Sequence, residues 1–453
     1  MSDETVTIFF EGKPLPCRAG LSVGAALWEH GIKVLSHSHK FGRPRGLVCA
    51  RGQCMSCLMR IDGEPNVRSC QTPVRQGQVV NRQDAGSCFA PAMHKALDAG
   101  GHLLPVGFHF KWFTRPAFLR RAFLDGLRPV TGVGKLPDRA VWSAARGGPP
   151  AHDHGVLETV VIGAGAAGMR AALAAPGRTL LLDDLPACGG QRRAALDRVA
   201  GEGDGLLAAL PRLAQMRDRL ESDARRISLA DRIEVLSGVR VVGAYQPDML
   251  LLKDESGLAV ARAAAIVWAG GAWDRLGDFE NNDLPGLMGP RALYRLAAIQ
   301  GLRLAGARTV VCGHGFDLWL SAALLHAVGA RVALVPDTVT GAEGEIPAAS
   351  RRLGWALHAG LELRRATART GALATLDFAG GGGLTRLPAD LAVMCARAKP
   401  AHDIPYQLGA DLVLDPDRGG FVPRAARTSG TVVSIVGEAA GAAPEDLCVE
   451  AVS

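Results

Sequence analysis

The sequence predicts an α/β protein in which two Rossmann-like dinucleotide-binding domains follow a small cysteine-containing domain. Three observations predict this class. Six of the ten cysteines fall in the first 88 residues, one strand–glycine turn–helix–strand unit begins near residue 158, and another begins near residue 308. With 48% hydrophobic and 21% charged residues, the chain of 453 residues is too apolar for intrinsic disorder. Its length suits roughly two to four domains.

The first 100 residues are predicted to form a small mixed α/β domain around a cysteine loop. Residues 5–10 have the pattern of a strand, residues 22–31 that of a short helix, and short strands with glycine turns follow across residues 45–85. The cysteines of this domain that have ligand-like spacing read C-x4-C-x2-C-x12-C and are Cys49, Cys54, Cys57 and Cys70.

This spacing predicts a [2Fe–2S] cluster. Three cysteines within nine residues share one tight loop, and the fourth returns from a following strand. Backbone N–H groups of residues 50–53 can then bond the sulfurs, and Gly52 permits the sharp turn. Structural zinc is the alternative, although zinc ribbons use paired C-x2-C knuckles and this loop has one. Cys17 and Cys88 fit no ligand spacing and are expected to be buried packing residues.

Residues 101–155 are predicted to be a basic, aromatic connector that ends in a Gly/Pro-rich linker. Between residues 103 and 150 there are eight Lys or Arg and two acids, which accounts for most of the net charge of +7. Because Phe and Trp are interleaved with these charges, we expect the segment to pack and to present a solvated or subunit-facing basic surface, with no nucleic-acid binding. The sequence shows no signal peptide and no apolar membrane span, so a cytoplasmic protein is expected.

At residue 158 the pattern becomes that of a dinucleotide-binding unit. A strand leads into G-x-G-x-x-G, an alanine-rich helix and a second strand that ends at Asp183. Gly163 makes the turn, Gly165 lets a pyrophosphate approach, and Gly168 lets the helix pack on the strand. The pyrophosphate would lie at the helix N-terminus, and Asp183 would bond a ribose hydroxyl. Only 15 positions separate Gly168 from Asp183, so the helix is predicted to be short.

The second unit, over residues 308–335, departs from this pattern. It contains Gly313 and Gly315, but Leu318 replaces the third glycine, so close helix–strand packing is lost. Two interpretations stay open: a working nucleotide site, or a structural remnant of one, which the leucine favours. His314 is expected to fill the turn rather than to transfer protons.

No catalytic residue is predicted in this chain. Cys188 has no partner in a C-x-x-C motif, so thiol–disulfide exchange is not expected. The sequence has no G-x-S-x-G elbow, no H-E-x-x-H motif and no P-loop, and therefore gives no support to hydrolase or kinase chemistry.

Residues 158–441 resemble the flavoproteins of the pyridine nucleotide–disulfide reductase type, which have two dinucleotide-binding domains. Besides Gly163–Gly168, the matching segments are Asp183 with 189–191, Ala269–Arg275, Asp283–Gly286 and Val436–Gly441. In this family an aspartate usually stands at the last motif, where this chain has glutamate, and faces the flavin ribityl and pyrophosphate. The resemblance implies five more cofactor-binding residues: Gly190, Gln191, Gly270, Gly437 and Glu438.

The N-terminal part narrows the resemblance. The segments 43–46, 65–68 and 105–108 are similar to the alpha subunit of heterotetrameric sarcosine oxidase and to its relatives, the opine oxidases, proline and hydroxyproline dehydrogenases and hydrogen cyanide synthase. All four cluster cysteines are present, so the chain resembles the iron–sulfur-containing branch. The expected domains are a β-grasp ferredoxin-like domain (1–100), the connector (101–155), an FAD-binding-type Rossmann domain (156–290 and 390–453) and an NAD-binding-like Rossmann domain (291–389).

This resemblance implies an oxidoreductase subunit that transfers electrons within a multi-subunit amine or imino-acid dehydrogenase or oxidase. A beta subunit of the D-amino-acid-oxidase type would break the C–H bond of a CH–NH donor. Further small subunits and a protein or quinone acceptor would complete the assembly. The implied cofactors are a [2Fe–2S] cluster and FAD, with NAD or ATP as alternatives at the same site and FMN at a subunit interface as a further one. Only twelve residues follow Gly441, and folate-coupled chemistry is not expected.

Two other functions stay open. A self-contained NAD(P)H-dependent flavin/iron–sulfur reductase would bind nicotinamide at the second unit, although Leu318 counts against it. A scaffold subunit that holds a structural nucleotide is compatible with the short helix after Gly168.

Overall fold

The computed structural model describes residues 4–38, 42–83, 100, 115–127, 152–202, 204–245, 248–337, 345–380, 383–428 and 430–444. Most of the predicted connector, and Cys88 with it, lies outside these ranges. Within the connector the structure describes one helix, Ala117–Leu127. Across the described ranges, no helix is both long and apolar enough to cross a membrane.

The N-terminal domain has a five-stranded mixed sheet and one helix in a common core. In sheet order the strands are Lys13–Arg18, Thr5–Phe10, Val79–Arg82, Leu58–Ile61 and Glu64–Arg68, and a short ladder pairs Ser36–His37 with Pro44–Arg45. The helix, Val23–Glu29, begins where Ser22 Oγ accepts the Ala25 N–H at 3.3 Å. Gly24 lets the helix approach the cysteine loop, because a Cβ there would lie 2.7 Å from Leu47 Cδ2. The predicted ferredoxin-like domain is confirmed.

The first Rossmann-like domain is built on a largely parallel sheet. Its main path runs through Ile233–Ser237, Thr179–Asp183, His152–Ile162, Leu258–Trp268, Met249–Lys253 and Arg240–Tyr245, and Thr431–Ile435 joins beside Leu258–Trp268 with Ala426–Thr428 at its edge. The helices of this domain are Ala166–Ala174, Gly190–Ala200, Asp204–Ala208 and Pro211–Ser228. The first of these has nine residues, which confirms the short helix that the spacing predicts.

The second Rossmann-like domain has a parallel sheet of five strands. In order these are Leu287–Met288, Leu391–Cys395, Arg308–Gly313, Arg331–Pro336 and Ala356–Leu357. Its helices are Pro290–Leu293, which continues as a π-helix over Tyr294–Ile299, then Gly315–Ala327 and Glu345–Leu353. The predicted boundary at residue 390 is too early, because Leu391–Cys395 pairs with Arg308–Gly313 at the centre of this sheet.

Smaller elements complete the described fold. An antiparallel meander lies in sequence just before the strand Leu391–Cys395 of the second sheet. Its strands are Glu362–Arg369, Ala372–Gly380 and Gly383–Pro388. The others are the ladders Ala272–Trp273 with Lys399–Pro400 and Leu412–Asp415 with Gly420–Pro423, the helix Asp403–Gln407 and the 3-10 turns Pro416–Arg418 and Gly437–Ala440.

The cysteine domain is fixed against the Rossmann-like domains. One continuous hydrophobic core includes buried residues of all three domains. Polar contacts surround this core: Arg18 donates to the Gly301 carbonyl at 2.8 Å, and Gln300 Nε2 donates to the Cys70 carbonyl at 3.1 Å. This packing sets the position of the cysteine loop relative to the first glycine turn.

Candidate functional site

The four cysteines of the loop come together as two pairs. The thiols of Cys49 and Cys54 hydrogen-bond to each other, and those of Cys57 and Cys70 form the second pair. Cys57 and Cys70 are each 1% exposed, whereas the first pair is partly exposed. A binuclear cluster held by four cysteines takes two thiolates on each iron, so two pairs of thiols fit [2Fe–2S].

A mononuclear metal site would need a different arrangement. Within the part of the chain that the structure describes, no three His, Cys, Asp or Glu side chains converge on one point as they would around a single ion. Structural zinc takes four ligands around one centre in a tetrahedron. The geometry therefore favours the binuclear cluster over zinc, the alternative that the spacing left open.

Backbone N–H groups point at the cysteine sulfurs, as the sequence predicts. Those of Arg51 and Cys54 each donate to Cys49 Sγ at 3.4 Å, and that of Gly52 donates to the Cys70 thiol. Gly52 has a φ of +75°, and a Cβ there would lie 2.3 Å from the side chain of Gln71. Such hydrogen bonds stabilise thiolates and adjust the potential of a cluster bound to them.

One thiol in each pair is prepared to ionise. The hydrogen bond from Cys54 lowers the pKa of Cys49 to about 5, although burial opposes this shift. The hydrogen bond from Cys70 lowers the pKa of Cys57 to about 7, again against burial. The same hydrogen bonds, together with burial, raise the pKa of Cys54 and of Cys70, so each pair retains a proton that a metal must displace, because metals bind the thiolate form.

A cavity of about 640 Å³ lies between the cysteine loop and the first glycine turn. The loop contributes Arg51, Gly52 and Gln53 to its wall, so the cluster ligands and the cavity share one segment of chain. Of the residues predicted to bind a cofactor, seven line it: Gly163, Gly165, Asp183, Gly190, Gln191, Gly270 and Glu438. Gly168 and Gly437 are not part of the lining.

The three glycines of the turn have the geometry that a dinucleotide site requires. A Cβ on Gly163 would lie 2.3 Å from the Ala269 carbonyl oxygen, and one on Gly168 would lie 1.7 Å from the Gly163 carbonyl oxygen. Both positions therefore exclude a side chain. A Cβ on Gly165 would meet nothing within 4 Å, because this residue faces the open cavity. A pyrophosphate fits this cradle at the start of the helix Ala166–Ala174.

Substitution of Gly165 by valine is expected to weaken nucleotide binding without destabilising the fold. The new side chain would project into the cavity without touching protein, so nucleotide affinity should fall at least about 100-fold while the melting temperature changes little. Titration calorimetry with ADP and thermal unfolding measure the two effects. Gly383→Val is the matched control, because its Cβ also meets nothing within 4 Å but lies outside the cavity. Normal ADP binding by Gly165→Val would contradict this position for the cradle.

Asp183 lines the cavity and also holds the glycine turn in place. Its Oδ2 accepts the Ala164 N–H at 2.5 Å and its Oδ1 accepts the Leu185 N–H at 2.8 Å, while burial raises the pKa of Asp183 to about 6. The predicted bond from Asp183 to a ribose hydroxyl stays a prediction. The next residue, Asp184, also lines the cavity and forms ion pairs with Arg295 and Arg240.

A buried ion network closes one end of the cavity. Arg192 pairs with Asp317 at 2.8 Å and with Glu438 at 2.9 Å. Arg291 pairs with Asp274 at 2.9 Å and also with Glu438. None of these side chains is more than 14% exposed. The resemblance implied that Glu438 faces the cofactor, and the structure shows its carboxylate held by two arginines at that end.

The charges of this network stabilise one another. Burial would raise the pKa of Glu438, but the Arg192 and Arg291 guanidiniums outweigh it and hold that pKa below its usual value. Neither arginine was predicted from the sequence to belong to the site. One signal was available for Arg291: it and Arg295 are the only charges within residues 284–299, an otherwise apolar stretch. A charge in such a stretch is buried at a cost unless it has partners.

Gln191, one of the predicted cofactor-binding residues, contacts the segment that carries these arginines. With its amide oriented to suit its neighbours, it donates to the Arg291 carbonyl at 3.2 Å and accepts from Arg295 Nε at 3.0 Å. These two hydrogen bonds link the segment that carries Arg291 and Arg295 to the start of the helix Gly190–Ala200, next to the glycine turn.

Two polar side chains contact each other beside the second glycine turn. His314 Nδ1 lies 3.1 Å from Asp337 Oδ2, so the acid at the end of the next strand contacts the turn itself. Asp317 stands in the first turn of the helix Gly315–Ala327, where its carboxylate would repel a phosphate. Leu318 is 1% exposed and packs in the core. These contacts favour the structural interpretation of the second unit.

We expect NADH to leave the purified chain unreduced. The leucine in place of the third glycine and the acid at the helix N-terminus disfavour a nicotinamide dinucleotide at the second unit. Anaerobic addition of NADH, followed by absorption between 400 and 500 nm, checks this expectation, with dithionite as the positive control. Rapid bleaching by NADH would instead support the self-contained reductase.

The fold and the site together define a class of protein: one in which a cysteine loop suited to an iron–sulfur cluster precedes two Rossmann-type domains. Residues 3–85 match the family described as "2Fe-2S iron-sulfur cluster binding domain". The chain belongs to the family of the sarcosine oxidase alpha subunits and hydrogen cyanide synthase subunits, in its iron–sulfur-containing branch.

Two relatives carry this assignment. Hydrogen cyanide synthase subunit HcnA of Pseudomonas aeruginosa is 36% identical over 83 residues, which are 18% of this chain and 79% of that protein. Sarcosine oxidase subunit alpha of Rhizobium meliloti is 26% identical over 303 residues, which are 62% of this chain. The chain spans only 29% of the length of that sarcosine oxidase subunit.

A solved structure has the same fold over nearly the whole chain. The L-proline dehydrogenase from P. horikoshii superposes with a TM-score of 0.59 and 16% sequence identity. The match covers 97% of this chain and 69% of that one. It confirms the arrangement of the two Rossmann-like domains.

Proposed function

We propose that this chain is the electron-transfer subunit of a multi-subunit flavin/iron–sulfur dehydrogenase or oxidase that acts on a secondary amine or imino acid. The observation that carries the proposal is the shared wall: the loop between Cys49 and Cys54 lines the cavity of the glycine turn. Two redox groups bound at these places would be neighbours, as efficient electron transfer requires.

The residues of the chain divide the binding work between two sites. Cys49, Cys54, Cys57 and Cys70 would hold the [2Fe–2S] cluster. The Gly163–Gly168 turn would hold the pyrophosphate of FAD, and Asp183 the ribose next to it. When bound, FAD takes up two electrons and releases them singly, and the cluster carries one electron at a time.

The amine substrate would be oxidised outside this chain. The described residues of the cavity include no acid–base pair free to take a proton from a C–H or N–H group, because its buried carboxylates are held by arginines or backbone amides. Membership of the sarcosine oxidase alpha family supports a partner flavoprotein subunit of the D-amino-acid-oxidase type. Met55, beside Cys54, is 66% exposed and lies where an acceptor could approach the cluster.

Co-expression with the partner flavoprotein tests this function. In the purified complex, anaerobic addition of sarcosine, L-proline or a related secondary amine should produce the EPR signal of a reduced [2Fe–2S] cluster. The same amines added to this chain alone should give no signal, since no described group could oxidise them. A complex that oxidises the amine while its cluster stays oxidised would contradict electron transfer through this chain.

A further inference from the structure

Arg51 belongs to both sites at once. Its backbone N–H donates to Cys49 Sγ at 3.4 Å, and its side chain lines the cavity, where Nη1 donates to the Ala272 carbonyl at 3.1 Å. The residue lies between two cluster cysteines in sequence, and its guanidinium reaches the wall that the first Rossmann-like domain contributes.

The guanidinium of Arg51 differs from its neighbours in the cavity wall. Arg192, Arg240 and Arg291 are each joined to at least one carboxylate, and Arg68, which also lines the cavity, is exposed to solvent. Among the described residues no carboxylate forms an ion pair with Arg51, whose one side-chain hydrogen bond goes to a neutral carbonyl. A half-buried guanidinium that forms no ion pair is costly unless an anion compensates it.

The guanidinium has the chemistry to bind a phosphate. Its planar set of N–H donors forms charge-assisted, paired hydrogen bonds with phosphate oxygens. The glycine turn supplies backbone N–H groups at the same cavity but no positive side chain. A ligand with a pyrophosphate would therefore find both kinds of donor here, from two different domains.

We propose that Arg51 is a phosphate ligand of the nucleotide in this cavity, supplied by the cysteine loop. The proposal rests on the proposed function, which places a nucleotide there. The proposal has a consequence for the nucleotide site and for the cluster site. A nucleotide bound to Arg51 would also stabilise the cysteine loop, which carries the cluster ligands. Binding free energies are reciprocal, so the nucleotide should protect the cluster, and the cluster should strengthen nucleotide binding.

Calorimetric titration of the cluster-containing full chain tests the direct contact. Arg51→Gln should weaken ADP and FAD binding about 10- to 100-fold, the usual effect of losing a hydrogen bond to a charged group. Arg51→Lys should weaken it less, because the charge remains. Adenosine, which has no phosphate, should bind wild type and Arg51→Gln equally. The matched control is Arg75→Gln, an exposed arginine of the same domain that does not line the cavity.

Cluster stability provides a second, independent readout. Saturating ADP should slow the loss of cluster absorbance in the presence of an iron chelator at least about 3-fold in wild type. It should have no such effect in Arg51→Gln. The proposal is overturned if Arg51→Gln binds ADP as wild type does, or if ADP leaves the cluster of wild type unprotected. Wild type that binds neither ADP nor FAD would reject the proposed function as well.

Discussion

Replacement of Cys54 by serine is expected to abolish the EPR signal of the reduced cluster while leaving the flavin content unchanged. Cys54 donates its hydrogen bond to Cys49 and belongs to the partly exposed pair of thiols. A serine hydroxyl is a much poorer ligand for iron than a thiolate, so one iron would lose half of its protein ligands. The glycine turn that would hold the flavin does not include this residue, so the chain should still fill with flavin at saturating concentration, and only the affinity should fall with the loss of the cluster.

Cys17→Ser is the matched control for this variant. Cys17 lies in the same domain, is 3% exposed and donates to the Leu15 carbonyl at 3.4 Å, a contact that serine can keep. It should retain the EPR signal and the iron content of wild type. An unchanged signal in Cys54→Ser would reject the assignment of this ligand.

Replacement of Arg291 by methionine is expected to destabilise the protein strongly. The substitution removes the partner of Asp274 and one of the two partners of Glu438, both of which are buried. Removal of one member of a buried ion pair costs about 3–5 kcal/mol, because the other charge is left without compensation. Urea denaturation at pH 7, followed by tryptophan fluorescence, measures the loss in the free energy of unfolding.

The pH dependence of this loss should identify its cause. In wild type the pKa of Glu438 is held below its usual value of 4.5, so its contribution to stability is present at neutral pH and is lost as the pH falls. The difference between wild type and Arg291→Met should therefore shrink toward pH 4. Arg364→Met is the control, since its pair with Glu362 is exposed and is worth less than about 1 kcal/mol. Equal losses in the two variants would show that the buried network is not stabilising.

Local patterns predicted the parts of the site that depend on short segments of chain. The spacing of Cys49, Cys54 and Cys57 forces one loop, and Gly168 leaves no room for a side chain against the Gly163 carbonyl, where strand and helix meet. Each of these requirements is set within about twenty residues. The strand–helix–strand units and the short helix after the first glycine turn were predictable for the same reason.

Contacts between distant segments could not be predicted in this way. Arg192 and Glu438 are 246 positions apart, and Arg51 and Ala272 are 221 positions apart. Their meeting depends on how three domains pack, which no periodicity or spacing records. The strand Leu391–Cys395 was assigned to the wrong domain because an apolar run does not identify its neighbours in a sheet.

The central claim is that this chain carries a [2Fe–2S] cluster next to a nucleotide. Absorption and EPR spectra of the purified chain, with iron, sulfide and flavin counts on the same sample, test it most directly. The account predicts a brown protein with about two irons and two sulfides per chain and an EPR signal that appears only on reduction. A colourless protein that contains zinc, or no metal, would contradict it.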